Sequence, residues 1–260
     1  MLAGLLRIRL QPVIYVCLPA RNHSRTVGLL LWKIRHTFTA FSREYQLLVA
    51  DDASTDDTAE VLDLYQRVLP LTVIRNDTAA GYAASLERLL HEAVERSDRP
   101  KRDCAVIIPP DFAIPPDALP ALVRRIESGA DVVVGEKTNR EGPIAMRLVC
   151  RSQPWLLRPG LRVPGLRDFI SGCYAFRLAT LKACFRDRTP LLDTEDWCAN
   201  AELVARAALS ARQIAAVALP PGRAAGASSF PPALQLAFAL LRTGRRLRIP
   251  PPVVPVDRVA

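Results

Sequence analysis

The sequence predicts an α/β fold built on a mainly parallel sheet flanked by helices. Three observations carry that expectation. Short apolar runs that read as buried strands recur at residues 13–18, 47–50, 71–74, 104–108 and 132–134. Segments of helical periodicity separate them, so the order up to Gly135 is βαβαβαβαβ. Polar and charged residues (Asn22, Asp51 with Asp52, Arg75, Asp111) stand where these strands end. Right-handed crossovers gather those ends on one rim, where open α/β sheets bind ligands.

Residues 13–18 form the first strand, which Pro19 stops. Ser24 then caps a helix running to about Phe41, with Leu29, Leu30, Ile34 and Phe38 on one side. The second strand ends at Asp51 and Asp52, and two adjacent carboxylates there are not ordinary core residues. Ser54 or Thr55 caps the following helix, which begins near Asp56 and reaches about Val68; its acidic first turn suits the positive end of the helix dipole. A third strand at 71–74 leads through RNDTAAGY into a helix over 83–95. Residues 97–103 are a charged loop, 104–108 a fourth strand closed by Pro109 and Pro110, 117–128 a helix and 132–134 a fifth strand. The second half is less regular. Residues 137–167 are rich in Arg, Pro and Gly, with a helix near 144–151; 173–177 and 213–219 are strands, 197–211 is a helix, and 250–260, with four prolines, is an extended tail.

A chain of 260 residues buries one large core, and with half its residues apolar it is not disordered. The net charge of +9 admits nucleic acid, an anionic membrane surface or a phosphorylated small substrate as partner. No zinc-finger spacing, RNA-binding aromatic strand or dense basic block accompanies it, so nucleic acid is not expected. Six cysteines lie scattered without metal-ligand spacing, which fits a reducing cytoplasm. The first ten residues are too short and too charged for a signal peptide, and no run approaches 18 apolar residues. Residues 232–241 are apolar, with Arg242, Arg245, Arg246 and Arg248 behind them. They read either as a helix lying on a membrane surface or as a packed helix ending in a solvated basic turn.

The first turn, PARNHS, lacks the glycines of a dinucleotide fingerprint, and no GxxxxGK[ST] occurs. A sugar-nucleotide site meets its phosphates differently, through Asp side chains for base and ribose and a carboxylate-held divalent ion for the diphosphate. In that light the segments VCLPARN, LLVADDASTDDT, VIRNDTAAGYAAS, VIIPPDFAIPPD, ADVVVGEKTNR, DFISGCYAFR and RAAGASSF, in this order, resemble the family 2 glycosyltransferases of the GT-A fold. The branch they look most like is the dolichyl- or polyprenyl-phosphate mannosyl- and glucosyltransferases, over residues 12–230.

The resemblance implies a single domain over 1–230, with a nucleotide-binding half (11–135) and an acceptor-side half (136–230), followed by a helix and tail (231–260). It implies a nucleotide-diphosphate sugar donor, a phosphorylated lipid or small-molecule acceptor, and Mg²⁺ or Mn²⁺. Pro19, Arg21 and Asn22 then cradle the nucleotide. Asp52 takes the base, with Asp51 supporting its loop. Arg75 and Gly81 line the nucleotide rim, and Asp111 is the last Asp of the family's DxD, facing metal and diphosphate. Lys137 and Arg140 fall near basic residues after the fifth strand. Asp168, Ser171 and Gly172 match a DxxSG segment by donor sugar and acceptor, and Arg223 matches a phosphate-facing basic residue.

Three departures stand against this pattern. His23 replaces a Glu, DxD is reduced to Pro109-Pro110-Asp111, and Ala113 stands where a metal-ligating Gln often does. One carboxylate still holds Mg²⁺ through diphosphate and water, with weak affinity in the absence of nucleotide. His23 is a ligand for a softer metal only in company it lacks. A catalytically degenerate protein that binds a sugar nucleotide or acts as a scaffold is the alternative.

At the acceptor end, Glu195-Asp196 looks like the family's acidic pair, whose Asp is the base in inverting transfer, and Trp197 is placed to stack on a sugar. The same residues also read as the acidic first turn of a helix capped by Thr194 or Asp193. A phosphoprenol acceptor needs no strong base and would meet Arg140, Arg147 and Arg223; an alcohol acceptor makes Asp196 the important residue. The arginines over 140–167 fit an anionic acceptor or membrane equally with a solvated face. Trp32 is expected to pack, Trp155 to anchor its loop in the core, and Cys173 to be no nucleophile.

Overall fold

Eight strands order themselves β3 (Leu71–Asn76), β2 (Glu44–Asp52), β1 (Val13–Ala20), β4 (Cys104–Ile107), β6 (Tyr174–Arg177), β5 (Val132–Lys137), β7 (Ile214–Leu219) and β8 (Val256–Val259) across one sheet. The structure is a computed structural model and describes residues 11–137, 143–220 and 232–259. β6 runs antiparallel to β4 and β5, and every other neighbouring pair is parallel. This is the mainly parallel α/β architecture the strand–helix alternation predicts.

β1 is buried along its whole length, so it needs apolar residues on both faces. Ile14, Val16 and Leu18 meet Leu30, Leu31 and Ile34 of α1 (Val27–Phe41) and Leu122 and Ile126 of α4 (Leu119–Glu127). Val13, Tyr15 and Cys17 face the opposite core, with Leu86, Leu89 and Leu90 of α3 (Tyr82–Arg96) and Leu203 and Val204 of α8 (Asp196–Ser210). The period-2 alternation of one strand thus builds two cores.

Local details depart from the sequence expectations. β1 continues through Pro19 and Ala20, which stay in register with Ala50 and Asp51 of β2. Ser24 does not cap α1: Thr26 precedes that helix, and the Ser24 N–H goes to Asp56 at 3.1 Å. Neither Ser54 nor Thr55 caps α2 (Thr58–Gln66), because both are tied to Asn22 instead. Periodicity did not reveal the short α6 (Gln153–Leu156) or α7 (Leu178–Asp187), whereas α5 (Ile144–Arg151) falls where expected. The proline-rich tail ends by joining the sheet as β8, parallel to β7, and the Arg258 guanidinium donates to the Gly165 carbonyl. The remaining helix is α9 (Ala233–Arg246).

Candidate active site

At the carboxyl ends of β1, β2 and β4 lies a cleft of about 270 Å³, closed on one side by the first turns of α3 and α8. Its floor is built by interlocking loops. Asn22, at φ 58°, donates its N–H to Ser54 Oγ (3.0 Å) and accepts the Thr55 N–H on Oδ1 (2.8 Å). Asn is one of the few side chains that tolerate this left-handed backbone. The His23 N–H goes to Thr58 Oγ1 (2.9 Å), and Asp51 accepts the Ser54 N–H (3.2 Å). Asp56 takes N–H groups from both Ser24 and Thr58 (3.1 Å each). Burial works against the Asp56 charge, yet the hydrogen bonds from Thr58 and Ser24 win and bring its carboxyl down to about 2.

Asp52 is the hinge of the cleft. Its Oδ1 accepts from Asn76 Nδ2 (2.8 Å) and the Ala80 N–H (2.7 Å), and its Oδ2 from the Gly81 N–H (3.0 Å). Burial opposes its ionisation; those three donors and the Arg21 guanidinium more than compensate and hold the carboxyl below the usual range. The β2 end thereby holds the loop that leads into α3. Gly81 sits there at φ +94°, and a Cβ on it would come 3.0 Å from Oε2 of Glu195. That close approach puts the Glu195 carboxylate against the α3 N-terminus, where negative charge is favoured.

Asp111 is buried at the end of the β4 segment, and its Oδ1 accepts the Ala113 N–H at 2.9 Å across a turn in which Phe112 takes φ 61°. Asp111 lies near His23. Burial pushes the His23 imidazole below its ordinary value against the pull of Asp111 and Asp56, so the ring is neutral at pH 7.

The approach to α8 is fixed by two carboxylates. Glu87 accepts the N–H groups of Leu191 and Leu192, and the buried Glu202 accepts those of Asp193 and Thr194. Neither Thr194 nor Asp193 caps α8 by its side chain; Glu195 occupies the cap position, extended and without a side-chain bond. Asp196 begins the helix at φ 52°, an uncommon conformation for a residue with a side chain, and it lines the cleft. Beside it, the Trp197 ring lies 6.0 Å from Tyr82, whose hydroxyl donates to Asn200 Oδ1 (2.9 Å). Gly172, at φ +77°, lies under the indole: a Cβ there would sit 3.4 Å from it.

Pro19, Arg21, Asp52, Gly81, Asp111 and Asp196, all named from the sequence, line one cleft. Asn22 and Asp51 stand behind it and hold its loops. Other named residues lie elsewhere. Arg75 turns away to pair with Asp63 of α2. Asp168 is buried outside the cleft, its carboxylate taking the N–H groups of Lys137 and Ile170 (3.2 Å each), so it ties the end of β5 to the loop before β6. Ser171 is buried against Cys173, bonded to that residue's backbone. Arg140 and Arg223 lie outside the described residues. Trp32 is half exposed under the Arg35 guanidinium, and Trp155 is exposed rather than anchored in the core. The Cys173 thiol is pushed up to about 12 by burial, and no nucleophile is made of it.

Tyr82 and Ser85 also line the cleft, and sequence reading singled out neither. Their signal was positional: both lie on the first helical turn after Gly81. Ser85 is buried, and its Oγ has no hydrogen-bond partner among the described residues. Buried hydroxyls without partners are uncommon in native proteins.

Among the described residues no group of three His, Cys, Asp or Glu side chains could hold a metal by itself. Of the three carboxylates that line the cleft, Asp52 is taken up by its own donors, and Asp111 is the one with an imidazole, His23, nearby. Such a set fits an ion shared with a diphosphate and water, since Mg²⁺ keeps much of its hydration. It does not fit a resident, protein-held ion.

A rim of carboxylates past the strand ends of a mixed, mostly parallel sheet is the architecture of GT-A sugar-nucleotide enzymes. The chain belongs to glycosyl transferase family 2, whose sequence model matches residues 15–179. It is 25% identical over 168 residues to a dolichol-phosphate mannosyltransferase of Pyrococcus furiosus, covering 62% of this chain and 45% of that protein. It is 26% identical over 130 residues to an undecaprenyl-phosphate 4-deoxy-4-formamido-L-arabinose transferase of Photorhabdus laumondii, covering 48% and 37%. The chain thus spans less than half the length of these curated relatives. Among solved structures, glucosyl-3-phosphoglycerate synthase from Mycobacterium tuberculosis in complex with Mn²⁺, UDP-glucose and phosphoglyceric acid superposes with a TM-score of 0.60 at 21% identity, over 90% of this chain and 80% of that one. S. aureus TarS 1-349 in complex with UDP gives 0.54 at 19% identity, over 89% and 64%. Fold and sequence both match glycosyltransferase enzymes.

Proposed function

We propose that the protein is an inverting glycosyltransferase moving a hexose from a nucleotide-diphosphate sugar to a phosphorylated lipid or small-molecule acceptor. The observation that supports it most is the convergence of Asp52, Asp111 and Asp196 on one cleft at the strand ends. Arg21 and the Asp52-held loop receive the nucleoside, and Asp111 faces the diphosphate. A divalent ion bound there with the donor would neutralise the diphosphate as it leaves. Trp197 supports the sugar ring. The acceptor oxygen attacks the anomeric carbon as the bond to the β-phosphate oxygen breaks, and the nucleoside diphosphate departs. With an alcohol acceptor, Asp196 takes the hydroxyl proton; a phosphate acceptor arrives already ionised and leaves Asp196 a positioning role. The phosphoprenol acceptors in the names of the sequence relatives support the lipid arm of this reading.

The second reading, a sugar-nucleotide binder without turnover, draws on Pro109-Pro110-Asp111 and the sparse donor set. Calorimetry with UDP-glucose and GDP-mannose, each with Mg²⁺, Mn²⁺ or EDTA, followed by a nucleoside-diphosphate release assay, separates the two. Metal-dependent binding of one donor with release supports the enzyme. Equal binding in EDTA without release supports the binder, and no binding at all removes both.

A further inference from the structure

We infer that α5, α6 and α9 form a platform that lies on an anionic lipid bilayer. The whole net charge of the chain sits in two stretches of sequence, 143–167 and 232–256. Together they hold nine arginines and no Asp or Glu, while the rest of the chain carries 26 Lys and Arg against 26 Asp and Glu. All nine are exposed, and none has an ion-pair partner among the described residues. Elsewhere arginines such as Arg43, Arg75, Arg177 and Arg206 are paired with acids.

The same helices carry large apolar side chains that cover nothing. Ile144, Leu148, Trp155, Leu234 and Phe238 are each between 63% and 74% exposed. Ile144 and Leu148 stand one turn apart on α5, as do Leu234 and Phe238 on α9, so each pair shares a helix face. The chain after α6 is tied to the C-terminal end of α9. The Gly160 N–H donates to the Gly244 carbonyl and the Ile249 N–H to the Gly160 carbonyl, both at 2.8 Å, and a Cβ on Gly244 would come 2.4 Å from the Leu157 carbonyl oxygen.

Apolar residues among unpaired arginines suit one occupant. In an interfacial helix the apolar side chains enter the acyl boundary and the guanidinium groups stay among anionic headgroups. A second copy of the chain would set nine arginines against nine. The platform also abuts the cleft: Cys198, on the same turn of α8 as Asp196 and Trp197, lies beside Thr243 of α9. The inference does not rest on the transfer reaction, since a chain without turnover would still dock.

The test is flotation with phosphatidylcholine vesicles, with and without phosphatidylglycerol. The expected result is binding to the anionic vesicles alone, weakened by high salt. A Trp155→Ser, Phe238→Ser variant and an Arg242→Glu, Arg245→Glu variant each bind at least tenfold more weakly, with unchanged melting temperature and unchanged nucleotide binding in the absence of vesicles. Failure to float with anionic vesicles overturns the inference. So does undiminished binding by either variant, or a dimer in sedimentation that Trp155→Ser dissociates.

Discussion

The Asp52 carboxylate accepts the Gly81 N–H at 3.0 Å and so ties the end of β2 to the start of α3. Both residues line the cleft.

Asp52→Asn presents an amide NH₂ to at least one of the donors Asn76, Ala80 and Gly81. Hydrogen bonds to charged groups contribute about 1.5–3 kcal/mol, so a loss of about 2 kcal/mol is expected in chemical denaturation. Nucleotide affinity falls with it, because the loop carrying Gly81 is released. Unchanged stability would show that these bonds are dispensable.

Asp196 and Glu195 differ in what they face. Asp196 lines the cleft, while Glu195 lies over Gly81. With an alcohol acceptor, Asp196→Asn lowers kcat by about 10²-fold or more at unchanged donor affinity. Glu195→Gln affects donor binding more than kcat. Steady-state kinetics with both variants check this, and equal losses in kcat would leave the base unassigned to Asp196.

Ser85→Ala separates stability from binding by sign. Its buried hydroxyl has no partner among the described residues, so removing it is expected to stabilise by about 1 kcal/mol. If the hydroxyl meets the donor, affinity drops several-fold at the same time. A variant both less stable and unaltered in affinity would mean that Ser85 is bonded within the protein.

Asp56 makes the cleft acid-sensitive. Its folded value of about 2 lies below the ordinary 3.8, so its contribution is fully present above 3.8 and is lost as pH falls toward 2. Asp56→Asn removes that part of the dependence. Melting temperatures between pH 7 and the acid limit should show a flatter descent below 3.8 in the variant, and parallel curves would refute the assignment.

Much of this was legible in the chain itself. Five apolar runs separated by helical periodicity are local properties, and the first half of the sheet followed from them. The acidic strand ends were legible because a carboxylate next to a buried run has few places to go. Asp52, Asp111 and Asp196, the last named through the resemblance that LLDTEDW carries, all line the cleft.

What the tertiary structure decided depends on partners distant in sequence. Asp168 looked like a site residue until the N–H of Lys137, 31 positions away, took its carboxylate. Arg75 was drawn off by Asp63, across a helix–strand contact that periodicity does not encode. β6 became antiparallel and β8 joined the edge because pairing direction follows from how the chain returns to the sheet, which no single strand specifies. The sequence alone determined the charge of the α5–α6–α9 face. Only packing determined that its apolar side chains stay uncovered, because burial is a property of the neighbours a residue acquires.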